Sequence, residues 1–243
     1  MGNANDRQTV QGVRIALLVG IALDLGLIAA HLLLYPALLA QPGAMQYVAE
    51  PVIALLVYAV IVYAVTAVSA NAASARRATL GLGMVFGLIT GALWLLNLTL
   101  ETFANLSGLG LLATAPFLIG AFVLWGVAGL VRASQTGAFG PGLLAAVWSA
   151  MICVLLTITY GLFLPFVALS TLRDNLARDL DFVHSGWSDL HAFVLANTFA
   201  SAFSHLLGAL IVALLFGSVG SLLGLVFARL RGPKPQAAIT TGG

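Results

Sequence analysis

Apolar runs of about twenty residues or more, separated by short turns carrying Pro, Gly and Arg, set the pattern of this chain. A membrane-spanning helix needs roughly 20 consecutive apolar residues. Six segments reach that length: Ile15–Tyr35, Pro51–Ala70, Ala78–Leu100, Leu109–Val131, Leu143–Pro165 and Leu195–Phe227. The pattern therefore predicts an all-α, polytopic membrane protein built as a bundle of six transmembrane helices. Between the fifth and sixth spans, Leu172, Leu176, Leu180 and Val183 recur at helical spacing, and Thr171 with Asp174 resembles a capping box. A short amphipathic helix on the outer surface is expected within residues 170–191.

Breakers agree with these boundaries. Pro36 and Pro42 flank the first outer turn, Pro51 suits the first turn of the second helix, and Gly140-Pro141-Gly142 opens the fifth. Pro165 is expected to kink or end the fifth helix. Composition supports the class: 61% hydrophobic and 7% charged residues, with a mean hydropathy of +1.07, exclude a soluble domain.

The chain reads as a cytoplasmic tail over 1–14, one transmembrane domain over 15–231 and a second cytoplasmic tail over 232–243. An even number of spans puts both termini on one side. Arg7, Arg14, Arg76, Arg77, Arg132, Arg229, Arg231 and Lys234 fall on that side, and only Arg173 and Arg178 on the other. This bias makes both termini cytoplasmic. It also gives the net charge of +2 a topological cause, and nucleic acid is discounted as a partner. The apolar run after Arg14 is too long for a cleavable signal and holds Asp24, so it reads as a retained helix. Asp6 stands where N-myristoylation of Gly2 would need Ser or Thr. The expected location is a bacterial plasma membrane, Asn105-Leu-Ser107 being the sole hint of a eukaryotic glycosylation route.

Asp24 is the costliest residue in this plan, since an ionisable group near a bilayer centre costs about 3 kcal/mol even on lenient scales. It should face the protein interior and have a partner. His31 shares its helix face but lies about 10.5 Å further along the axis. The partner is expected from the second, third or fifth helix, with Tyr58, Thr90 and Thr157 as the candidates by depth.

Polar residues concentrate in the outer half: His31, Asn97, Thr157, Thr159, Tyr160, Asn197, Ser201, Ser204 and His205. The inner half offers mainly Thr66, Ser69, Ser149, Ser218 and Ser221. This asymmetry predicts an outward-facing polar pocket formed by Asp24, His31, Asn97, Tyr160, Asn197, Ser201 and His205. It argues against a permanently open channel, which needs polar lining throughout. The same residues could instead pair between helices as interhelical hydrogen bonds, each contributing about 0.6 kcal/mol.

Gly83, Gly87 and Gly91, and Gly217, Gly220 and Gly224, form small-residue faces that suit close helix packing. The lone Cys153 excludes an intramolecular disulfide and any multi-Cys zinc site. His31 with His205 invites a haem reading, and His184 and His191 with Asp181 and Asp189 an outer metal site. Neither set has a defining spacing, and cofactor and metal remain unassigned.

Ser204-His205-Leu-Leu-Gly208, followed by Phe216-Gly217, resembles the histidine-bearing last helix of rhomboid intramembrane proteases over some fifteen residues. The Gly-x-Ser-Gly nucleophile motif of that family is absent, and Ser149 lacks its glycines. The functional expectation is thus non-catalytic: a permease-like or solute-binding protein, with Asp24 as a proton- or cation-coupling carboxylate. The alternative is an accessory subunit or homo-oligomer packed through its glycine faces, and an intramembrane hydrolase ranks third. Expected partners are the lipid bilayer, a small solute or proton and, in the alternative, another protein.

Overall fold

A computed structural model describes residues 2–70, 74–104, 110–177 and 180–231. Arg178, Lys234, the Asn105-Leu-Ser107 sequon and the 232–243 tail lie outside the described residues. Among the described residues seven α-helices follow one another: α1 (Gly2–Leu34), α2 (Ala44–Ala70), α3 (Ser74–Phe103), α4 (Gly110–Thr136), α5 (Phe139–Leu176), α6 (Leu180–Ser185) and α7 (Leu190–Leu230). A 3-10 turn over Pro36–Ala40 joins α1 to α2. All except α6 are long and apolar enough to cross a membrane. Leu33, Val60, Ile211 and many other aliphatic side chains face outward, which suits lipid rather than water. The chain is a multi-pass integral membrane protein.

Contacts across the bundle fix the helix directions. Along α3, Gly83 faces Ala145 and Trp148, Gly87 faces Ser149 and Ile152, and Gly91 faces Leu156, so α3 and α5 run in parallel. Gly126 meets Gly220 and Ala133 meets Gly224, which makes α4 and α7 parallel; Gly142 meets Ser221, so α5 and α7 are opposed. The order of the spans is up and down throughout, with the start of α1 and the end of α7 at one end of the bundle, called here the near end. α5 is the central helix, with 56% of its most apolar window buried against 22% for α1.

Glycine explains why the near half is tight. A methyl placed on Gly220 would fall on the Gly126 carbonyl, and one on Gly217 would lie 2.5 Å from the Ala146 Cβ. These helices touch backbone to backbone, and only residues without a Cβ permit it. Both glycine faces are thus filled by the chain's own helices. At this end Arg132 is buried and donates from Nε to the Thr79 hydroxyl at 2.7 Å and from a guanidinium NH2 to the Ala75 carbonyl, pinning α4 to α3.

Three elements depart from the sequence expectation. Pro51 lies well inside α2, because that helix starts at Ala44. α5 runs through Pro165, and the chain leaves helical geometry three residues later, at Ala168 (φ −133°, ψ 26°). Of the kink or stop expected at Pro165, the structure shows a kink, displaced to Ala168, after which the helix resumes. Residues 171–176 therefore continue α5, and the separate surface helix shrinks to Leu180–Ser185.

Candidate functional site

The stripe that begins with glycine on α3 changes character towards the far end. After Gly83, Gly87 and Gly91, the same face continues at helical spacing with Trp94, Asn97, Leu98 and Glu101. On α7 the buried stripe Gly224, Gly220, Gly217, Ala213 and Ala209 continues through Leu206, Ala202 and Phe199, and His205, Ser201 and Asn197 lie beside it, the last two exposed. Larger side chains stand here in place of glycine. α3, α5 and α7, with Leu118 of α4, border a cavity of about 390 Å³, lined on α5 mainly by residues that precede Pro165, and it reaches the far end at Glu101, Thr102 and Leu172.

Of the seven residues expected in a pocket, the structure brings four together here: Asn97, Asn197, Ser201 and His205 line this cavity. Asn97 is buried, and its Nδ2 donates to Glu101 Oε1 at 2.9 Å, while its Oδ1 is buried with no hydrogen-bond partner. His205 holds the Ser201 carbonyl through Nδ1 at 2.6 Å and sets its ring edge-on to Trp94. Glu101 and Trp94 also line the cavity, and the sequence reading missed both. Their i, i+3, i+7 spacing with Asn97 was the signal that could have found them.

The other three lie elsewhere. Tyr160 shares a 2.9 Å hydrogen bond with Thr99. Asp24 and His31 sit between α1 and α5. Asp24 is fully buried, and Oδ1 accepts from Thr159 Oγ1 at 2.5 Å, while Oδ2 has no partner. The partner thus comes from α5, as one of the expected helices, but two residues beyond Thr157. Thr157 donates to Cys153 in its own helix, Tyr58 to the Leu206 carbonyl, and Thr90 to its own helix while accepting from Trp125. His31 Nε2 lies 2.8 Å from the Leu162 carbonyl, so Nε2 must carry the proton, and its ring stacks on Phe166 at 4.0 Å. A mainly apolar crevice of about 340 Å³ between α1, α3 and α5 ends at Thr159, on the near side of Asp24.

At the far end, Tyr35 donates to Asp189, which also caps α7 by accepting from the amides of His191 (2.9 Å) and Ala192 (3.1 Å). His191 packs its ring on Tyr35. Partial burial disfavours the Asp189 charge, but the Tyr35 hydroxyl and the two amides more than offset it and hold this carboxyl below its ordinary range. Donation to Asp189 raises Tyr35 above the usual phenol value.

The residues suggested for a metal are dispersed. Asp189 is a helix cap, and Asp181 and His184 border a second far-end cavity of about 470 Å³ beside Trp187. His31 and His205 have separate neighbours. Among the described residues, no group of three or more His, Cys, Asp or Glu side chains is placed to hold a metal ion. Ser149 is buried in the α3–α5 seam beside Gly87 with no hydrogen bond to its hydroxyl, whereas His205 sits at Trp94. Neither arrangement pairs a nucleophile with a base. No protein-family model, curated protein or solved structure matches the chain.

Proposed function

We propose that this integral membrane protein is a non-catalytic, permease-like binder of a small polar solute, which it admits from the outer face. The far end is the outer end by the distribution of basic residues along the chain. The observation that carries the reading is the 390 Å³ cavity bordered by Asn97, Asn197, Ser201 and His205. Its volume lies in the range of small-molecule sites, which combine apolar walls with a few placed polar groups. In this reading Asp24 is the coupling carboxylate. Its unpartnered Oδ2 and its bond to Thr159 put it against the same helix that forms the cavity wall through Thr157, Ile158 and Leu162. The accessory-subunit reading loses its main support, because the glycine faces it relied on are occupied within the chain.

The test is a solute series of mixed charge added to the purified full-length protein in micelles, with thermal unfolding as readout. At least one polar solute should stabilise the wild type and stabilise Asn97→Ala and Ser201→Ala markedly less. Asp24→Asn should keep membrane abundance and binding but lose uptake driven by a proton gradient in vesicles. If no solute stabilises the protein, the accessory-subunit reading replaces this one. A reporter fused at Ser185 should read external, and a cytoplasmic signal would reverse the assigned orientation.

A further inference from the structure

Asn197 and Ser201, which can both donate, are exposed in the cavity wall, so the buried polar group at Asn97 narrows the ligand. A carboxylate only accepts, so the Asn97 amide nitrogen must face Glu101, which leaves the buried Asn97 Oδ1 as an acceptor without a donor. A backbone carbonyl also only accepts, so His205 carries its proton on Nδ1 toward Ser201, and Nε2 of the neutral ring is a further acceptor. Thr157 and Thr198 commit their hydroxyl hydrogens to carbonyls of their own helices, at 3.0 and 2.9 Å, and turn lone pairs to their surroundings.

The charge has the same sense. Glu101 contributes a carboxylate, and among the described residues no Lys or Arg lines the cavity. Arg173, also near the far end, is close enough to Tyr35 and His191 to act on both of those groups. Trp94, stacked on Trp125 with ring centroids 6.1 Å apart, supplies an aromatic wall whose face attracts cations.

We propose that the cavity selects a small organic ammonium, a primary or secondary amine in its protonated form. Its N–H groups satisfy Glu101 and Asn97 Oδ1 while its apolar body lies along Trp94, Leu98 and Ile158. This rests on the solute-binding reading above and deepens it. A charged donor meeting a carboxylate forms the stronger class of hydrogen bond. A carboxylate brings no donor and would leave the buried Asn97 Oδ1 unsatisfied, and a neutral hydroxyl has a single hydrogen that cannot serve Oδ1 and Glu101 together, which is the usual basis of discrimination in polar sites.

The test uses three probes of similar shape on the full-length protein in micelles: phenethylammonium, 2-phenylethanol and 3-phenylpropionate. Calorimetric titrations are referenced to protein-free micelles. The cation should bind at millimolar concentration or below, the alcohol at least about tenfold more weakly and the carboxylate not at all. Glu101→Gln, at an exposed position, should lower the cation affinity by about tenfold and leave the alcohol unchanged. Equal binding of the three probes, tighter binding of the carboxylate, or no binding of the cation overturns the ammonium assignment. The cavity reading survives each of those results if another polar solute stabilises the wild type but not Asn97→Ala, so the two failures are distinguishable.

Discussion

On the α1 flank of α5, Asp24 and His31 are each matched to one α5 partner, at 2.5 and 2.8 Å, and buried between two helices. On the α3 and α7 flank, Asn97, Ser201 and His205 border an open volume instead. The residue types are alike on the two flanks, and what separates them is whether a partner on the facing helix lies within reach. Asp24 and His31 each close a hydrogen bond to α5. Where Trp94, Leu98 and His205 stand in place of glycine, a cavity remains and the same chemistry lines it.

The largest test of this contrast lies in the near half, where no slack remains. Gly220→Ala would drive a methyl into the Gly126 carbonyl, and it should cost roughly 3 kcal/mol or more, read as loss of folded protein in membranes. Near wild-type stability would mean that these helices separate easily, and the stripe argument would fail.

His31→Ala comes next. It removes a ring packed on Phe166 and Phe199 and should cost roughly 3 kcal/mol, measured by unfolding in micelles, with solute affinity changed less than about twofold. A stable variant that loses binding would instead make the two flanks one site.

Asn97→Ala should show the reverse, with affinity falling about tenfold, near 1.4 kcal/mol, and stability changing little because the Oδ1 it removes is already unpartnered.

The smallest effect is expected at the α7 cap, where Asp189→Ala should cost about 1 kcal/mol. Asp189 is held below its unfolded value of about 3.9, so its contribution is fully present above that value. It should fade as pH falls through the lower folded value. Acid unfolding curves of wild type and variant should therefore converge below about pH 4. Curves that converge instead near neutrality would assign the pH dependence to another group.

Much of this protein could be read along the chain. Six apolar runs of spanning length dictate six helices, because lipid offers no partner to an open backbone, and Gly83, Gly87 and Gly91 announce a close-packed face. The shared level of Asn97, Asn197, Ser201 and His205 was legible from depth, since each helix position fixes height in the membrane at about 1.5 Å per residue.

Azimuth was not legible in the same way. Depth placed Asp24, His31 and Tyr160 in one pocket with the others, but which neighbour each helix face meets depends on packing angles that a single sequence does not state. The continuation of α5 through Pro165 to Leu176, the use of Asp189 as a cap and the choice of Thr159 over Thr157 were decided the same way. Local sequence sets which groups need partners and how deep they lie. Only the assembled bundle decides which are satisfied across a tight interface and which are left facing a cavity.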